Sequence, residues 1–373
     1  MLEFSSIISA VKPRDCTDQY KILAALYSLG AHNSPVTTKQ VTKILILQLG
    51  RNNIPKNVSD CLRKYTGYVD PAEQGPPITW TLTPKGIQHL RSLSGLALAV
   101  PASASDFASD VGIVCALEHP ELAAVITAFG GSAQWHEVGD ARFPHVYRET
   151  RLTLPNGNQL RIVSTTSTSM GLTAAAIATT HLVLQFRPRI VLMVGIAAGT
   201  AGGNKQFGDV LVADPSVDYN SGKVVQAGGI REFLPDPYPI GLNPRLRSLL
   251  QKYRGFHPVF VTICDRWSGP RPPGQNRLHL GPLGAADQVI DDPARVIEIQ
   301  KNWRKLIGVE METYGVYRAC TESPEPKPRF VSFKSVCDFA AEKTDSWQEY
   351  AAFVAAEFAV AFLKAEWEGL WPK

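Results

Sequence analysis

The feature that most constrains this 373-residue chain is an alternation that begins near residue 110. Apolar runs, "VGIVCAL" (111–117), "QLRIVST" (159–165), "RIVLMVGIAAG" (189–199), "DVLVAD" (209–214) and "RFVSFKSVCDFA" (329–340), read as strands. Between and after them stand segments of helical spacing: "ELAAVITAF", "LTAAAIATTHLVLQF" and, at the C-terminal end, "DSWQEYAAFVAAEFAVAFLKAEW". Strands joined by crossover helices predict an α/β sheet with its sites at the carboxyl ends of the strands.

The first hundred residues follow a different pattern. "TDQYKILAALYSL" (17–29) has helical spacing after a Thr suited to cap it, and "VTTKQVTKILILQL" and "IPKNVSDCLRKYTGY" give two further helices. A turn-rich stretch then leads into a short β-segment with Ile78, Trp80 and Leu82 alternating, and a closing helix. Three helices followed by a β-wing resemble a winged-helix domain. The small, Pro-containing segment "SLSGLALAVPASASD" reads as a linker. The predicted organisation is a winged-helix-like domain over 1–95, a linker over 96–108 and an α/β domain over 109–373.

Composition narrows the class. Hydrophobic residues at 45% and charged residues at 19% are a globular balance, and no run approaches the roughly 18 apolar residues of a membrane span. The N-terminus lacks the pattern of a secretory signal, so the expectation is a soluble, cytoplasmic protein with no membrane contact. Six scattered cysteines without metal-ligand spacing predict reduced thiols and no structural metal. Residues 1–95 carry 11 Lys and Arg against 6 Asp and Glu, a net +5 in a chain of +4 overall, so the rest is near −1.

Three places are suited to chemistry. "MVGIAAGTAGGNKQFGDVLVAD" runs from a strand into glycines and back into a strand, which lets backbone approach a ligand, or makes a tight hairpin-like turn. It matches neither dinucleotide nor P-loop fingerprints. Asp338 closes an apolar strand, where burial would raise its pKa and suit it to deliver a proton; alone, it reads more readily as a cap or turn residue. In "GVEMETYGVYRAC" two glutamates, Glu310 and Glu312, flank Met311 at a helix start, where a first-turn carboxylate ordinarily complements the helix dipole.

Taken together and in order, "ALEHPEL", the glycine turn followed by "GDVLVAD", "VEMET" and the Cys-Asp strand end resemble the nucleoside phosphorylase and nucleosidase family. The resemblance is strongest to methylthioadenosine/S-adenosylhomocysteine nucleosidases and covers about residues 110–365. It implies an α/β/α sandwich around a mixed, partly barrel-like sheet, and cleavage of the N-glycosidic bond of a purine nucleoside or nucleotide, without a cofactor. By resemblance, Glu312 grips the ribose 2′- and 3′-hydroxyls, Met311 packs on the sugar and Asp338 protonates the departing purine at N7. Gly195, Ala197, Ala198 and Gly199 line base and sugar. Glu121, with Glu118 as the reserve, positions the attacking water; the gap-free register puts Pro120 there, so Glu121 needs a one-residue insertion. Glu310 is structural.

The family's phosphorylases carry Arg and Ser where Met193 and Ile196 stand here, which favours water over phosphate. Cys337 replaces the usual Ser beside the aspartate, and Lys334 replaces an Arg, as a mobile charge for a 5′ substituent or phosphate. Arg266, Arg271 and Arg277 sit in a long basic loop that either meets phosphates or is simply solvated. "CDFAAEKTDSWQEYAA" and "GPLGAADQVIDD" resemble the branch fused to sensor domains in antiphage systems and immune receptors, some of whose members degrade ATP. Phosphorolysis is the alternative chemistry. Two other classes remain open: a regulator that binds DNA through the basic winged helix, though no Lys/Arg cluster marks a recognition helix, and an N-terminal interaction module controlling a homo-oligomer.

Overall fold

A computed structural model describes residues 4–11, 16–31, 35–71, 77–94, 107–140, 142–200, 204–340 and 345–371. The chain divides into two compact units, Met1–Asp106 and Phe107–Lys373. Residue 95, residues 96–106 of the expected linker, and 341–344 of the segment after Asp338, lie outside the described residues.

The first unit runs α1 (Phe4–Ser9), α2 (Asp18–Ser28), β1 (Val36–Thr37), α3 (Thr38–Leu49), α4 (Val58–Lys64), β2 (Val69–Pro71), β3 (Thr79–Leu82) and α5 (Pro84–Ser94). Thr17 accepts a hydrogen bond from the Tyr20 amide and caps α2, while Thr37 and Gln40 form a reciprocal capping box at α3. The three strands form an antiparallel sheet in the order β1-β3-β2. Trp80 and Leu82 of β3 turn inward onto Leu23, Leu26, Leu45 and Leu90, as their alternation predicts.

The second unit continues with β4 (Ser109–Cys115), α6 (Ala123–Ala128), β5 (His136–Val138), β6 (Tyr147–Thr153), β7 (Gln159–Thr166), α7 (Leu172–Phe186), β8 (Pro188–Gly199), β9 (Val210–Asp218), β10 (Gly222–Ala227), β11 (Ile230–Pro235), α8 (Pro244–Gln251), β12 (Gly255–Phe256), α9 (Val259–Asp265), β13 (Arg277–Ala285), α10 (Pro293–Asn302), β14 (Gly308–Glu310), α11 (Thr313–Thr321), β15 (Arg329–Asp338) and α12 (Gln348–Leu370). Strand β15 lies at the centre, parallel to β8 and antiparallel to β9. On the far side of β8 come β4 and β7, both parallel to it. The short β14 pairs with β8 on one side and β13 on the other, so β13, β9, β15, β8 and β14 close into a ring. This is the mixed, partly barrel-like sheet that the resemblance implies.

Helix α12 covers the face of β8 and β15. It is buried along nearly its whole circumference, yet its two inward glutamates are answered: Glu357 by Arg266, and Glu366 by Lys252 and Tyr253. No helix among the described residues is long and apolar enough to cross a membrane.

On the opposite face α11 packs on the start of α7 at very short range. A Cβ on Gly315 would lie 2.1 Å from the Leu172 carbonyl oxygen, a backbone atom that cannot rotate aside. Gly315→Ala should therefore destabilise the protein by roughly 1–3 kcal/mol in urea unfolding, although Gly→Ala within a helix ordinarily stabilises it. An unchanged or raised midpoint would mean that α11 and α7 can separate freely.

Candidate active site

The end of β4 sets the first group. After Leu117 the chain makes a wide turn, with the Leu122 amide donating to the Leu117 carbonyl, and this turn delivers Glu121 to the sheet. One Glu121 oxygen accepts from the amides of Ala116 (2.7 Å) and Leu117 (3.0 Å), the other from Ile196 (2.8 Å). Such a carboxylate is fixed in place. A Cβ on Gly195 would stand 1.9 Å from the Glu121 carboxylate, so glycine is required there to admit Glu121. Glu118, the reserve, is exposed and pairs with Arg148 at 2.9 Å.

Strand β14 and the first turn of α11 supply the next pair. Glu310 accepts from the amides of Glu312 and Thr313, each at 3.0 Å, and so caps the helix. That accounts for one of the two glutamates. Glu312 reaches the other way: one oxygen accepts from the Gly171 amide at 3.1 Å and the other from Lys334 at 3.2 Å.

Lys334 lies in the middle of β15 and is fully buried. Its Nζ is 3.2 Å from Glu312, 3.4 Å from Glu310 and 3.8 Å from Glu121. Burial alone would push the ammonium down, but the three carboxylates together hold its pKa above the ordinary lysine value. Burial raises the pKa of Glu121 and of Glu310; Lys334 opposes that rise, and Glu312 adds to it. Lys334 does not line the cavity, which corrects its reading as a mobile charge for phosphate: its ammonium is buried against Glu312, Glu310 and Glu121.

At the end of β15 the register against β8 shifts between Val336 and Asp338, a bulge that re-aims the last side chain. Asp338 is half-buried and accepts from the Ala340 amide at 2.7 Å, Ala340 adopting a left-handed φ of 55°. The Cys337 thiol donates to the other Asp338 oxygen at 3.4 Å.

These groups converge on a cavity of about 320 Å³, lined among others by Glu121, Ala197, Ala198, Met311, Glu312 and Asp338. Gly195 and Gly199 stand behind that lining: Gly195 makes room for Glu121, and Gly199 admits the Phe339 ring, which a Cβ would approach to 3.0 Å. Arg266, Arg271 and Arg277 are not among the lining residues. Sequence reasoning missed Met170 and the 288–290 loop, which complete the wall. It also missed Asp287, which accepts from the Leu172 amide at 2.6 Å at the start of α7. Among the described residues no group of three or more His, Cys, Asp and Glu is arranged to hold a metal.

The sequence model of the Phosphorylase superfamily matches residues 110–364. ATP nucleosidase Cap17 of Escherichia coli (strain KTE188) is 24% identical over 265 residues, 66% of this chain and 50% of its own. The 5′-methylthioadenosine/S-adenosylhomocysteine nucleosidase of Marinomonas sp. (strain MWYL1) is 28% identical over 189 residues, 50% of this chain and 73% of its own. This chain spans 34 to 60% of the length of its longer curated relatives. Among solved structures, the nucleosidase of that name from Helicobacter pylori superposes with a TM-score of 0.52 at 20% identity, over 69% of this chain and 99% of its own, a likeness of fold.

Lys334→Met should strand three buried carboxylates and cost about 3–5 kcal/mol at neutral pH. Without the ammonium that opposes it, burial lifts Glu121 and Glu310 further above their values in the unfolded chain, so the folded state binds more protons. The variant should thus regain stability as pH falls toward the ordinary glutamate range. Urea unfolding at pH 7.5 and 5.5 checks both points; a loss independent of pH would assign the cost to packing.

Proposed function

The chain belongs to the phosphorylase superfamily, and from that premise we propose that it is a purine N-glycosidase, hydrolysing the base–ribose bond of an adenine nucleoside or nucleotide. The observation that carries this is the placing of Glu121, Glu312 and Asp338 around one cavity, from three separate segments. Glu312 keeps lone pairs beyond its bonds to Gly171 and Lys334, and these accept from the 2′- and 3′-hydroxyls. As the C1′–N9 bond breaks, its electrons pass to the purine and the Asp338 carboxyl gives its proton to N7. Positive charge grows on the sugar, above a lattice of three carboxylates and one ammonium. Glu121 takes a proton from water, whose oxygen bonds to C1′.

Water rather than phosphate is supported by what surrounds the turn after β8. Met193 is buried and apolar, and the Ile196 amide is committed to Glu121. The start of α7, where an anion would otherwise be attracted, meets the carboxylates of Glu312 and Asp287. The finer reading, ATP as substrate of an antiphage effector with the winged-helix-like first unit as its sensor, has the ATP nucleosidase relative for support.

Incubation with ATP, AMP, adenosine and 5′-methylthioadenosine in phosphate-free buffer should release adenine from at least one of them. Asp338→Asn and Glu121→Gln should each lower kcat by about 10²–10⁴ with folding retained. Release only on adding phosphate would convert the reading to phosphorolysis, and full activity in Asp338→Asn would overturn it. Because the raised Glu121 must lose its proton to act as a base, kcat/KM should fall on the acid side through an apparent pKa above the ordinary glutamate value of about 4.3. A pH–rate profile measures this, and a flat acid side down to that value would remove Glu121 as the base.

A further inference from the structure

At the end of the sheet opposite the cavity stands a cluster of charge that the mechanism leaves unused. Strands β8 and β15 run parallel with Arg329 in register with Ile190, so Arg189 and Arg329 enter the sheet together. Helix α12 ends beside them: Arg329 donates to the Leu370 carbonyl, and Arg245, from the first turn of α8, donates to that of Gly369 at 2.8 Å. Trp371 follows, and the guanidiniums of Arg189 and Arg329 each lie 4.3 Å from the centroid of its ring. We propose that Arg189, Arg245, Arg329 and Trp371 form a binding site for a diphosphate group. Strand β15 is 10 residues long, so this site stands about 30 Å from Asp338 at the other end.

The three guanidiniums gather without an acid. Among the described residues no carboxylate comes within 4.0 Å of any of them. The two acids in the last turns of α12 are engaged elsewhere, Glu366 by Lys252 and Tyr253, and Glu368 by Asn156. Other arginines of this unit are answered: Arg161 pairs with Glu149, and Arg247, on the same helix as Arg245, pairs with Asp214.

The end of α12 answers the cluster only in part. The carbonyls that close a helix carry roughly half a negative charge, against three positive ones here. A guanidinium has five N–H donors; Arg245 and Arg329 each give one to a carbonyl, and Arg189 gives none to the described residues. Burial, and then the charges of Arg189 and Arg245, hold Arg329 below the ordinary arginine range. The Trp371 indole N–H is buried without an acceptor among the described residues, a costly state for a donor.

The ligand class follows from number and shape. A carboxylate brings one charge and two oxygens, which a single guanidinium satisfies in a bidentate pair. Three guanidiniums call for several charges and for oxygens on both ends of the ligand, which a diphosphate supplies. Stacking on Trp371 fixes the planes of Arg189 and Arg329, so their forks are presented ready for phosphate oxygens. An oxygen held between them would also give the indole N–H its acceptor.

The test is calorimetric titration with pyrophosphate, UDP, inorganic phosphate and acetate, in low-salt buffer, of the wild type, Arg189→Gln, Arg189→Lys and Arg245→Gln. The wild type should bind pyrophosphate at least about tenfold more tightly than acetate or phosphate. Arg189→Gln and Arg245→Gln should each weaken it about tenfold, the scale of one charge-assisted pair, and Arg189→Lys, which keeps the charge and loses the fork, by less. Adenine release should be unchanged in all three, and unfolding midpoints identify any variant that fails to fold. UDP, which carries no purine, separates the two sources of a diphosphate. If it binds more tightly than pyrophosphate, with the same dependence on Arg189, the ligand is a nucleotide; if it binds no better, the diphosphate alone is recognised, and either result upholds the site. Pyrophosphate bound no more tightly than acetate, or bound equally by the wild type and both Gln variants, would overturn the site and leave the N-glycosidase reading untouched.

Discussion

Lys334 is the interaction on which the site depends. An ammonium without access to water is costly unless it is paired and hydrogen-bonded, and here three carboxylates meet it within 3.8 Å. Those carboxylates come from the turn after β4 and from the junction of β14 and α11, so one cation draws two segments distant in sequence onto β15. Three anions around one cation leave a surplus of negative charge. It is held by backbone: the amides of Ala116, Leu117 and Ile196 serve Glu121, those of Glu312 and Thr313 serve Glu310, and that of Gly171 serves Glu312. Removing any one carboxylate would leave amides without partners as well as altering the charge.

The arrangement follows from the closing of the ring. The short β14 pairs with the last residues of β8, Gly308 against Gly199 and Val309 against Ala198, and this pairing brings the glutamates of "VEMET" over the end of β15. Glycine is needed there, because a Cβ on Gly308 would meet the Ala198 carbonyl at 2.6 Å. The two glutamates then divide the work. Glu310 turns back onto the amides that begin α11, satisfying donors a helix start leaves open, and so Glu312 is free to face the cavity. Engagement of Glu310 by the helix start supports the proposal that Glu312 is the glutamate that grips a ligand.

Much of this was legible in the sequence, and the remainder has definite physical causes. The helix over 172–186 and the strands near 111, 159, 189 and 329 are visible because apolar periodicity is local. Glu121 was within reach only through the family resemblance and an assumed extra residue; the wide turn over Glu118–Leu122, which holds one residue more than an α-helical turn, has room for such a residue. The place of Lys334 was not legible. In "FVSFKSVCD" a lysine reads as a polar interruption, and its three partners are drawn from positions 121, 310 and 312, a long-range pairing that no periodicity encodes. Gly195 looked like ligand-facing backbone, although its necessity comes from the neighbouring Glu121 carboxylate.

The bulge before Asp338 completes the argument. A regular strand would carry the alternation of β15 unchanged to its end, and the Lys334 position fixes which residues share its face. The register shift after Val336 breaks that alternation, so Cys337 and Asp338 both reach the cavity wall instead of only one of them. The left-handed turn at Ala340 then returns an amide to the Asp338 carboxylate and fixes its direction. Within one strand the sheet thus supplies a cation that gathers Glu121, Glu310 and Glu312 and, past a single irregularity, the Asp338 carboxylate at the cavity wall, the two parts that the proposed chemistry calls on. Those two parts need opposite surroundings, one sealed from water and one open to a ligand, and the bulge is the point at which β15 passes from the first to the second.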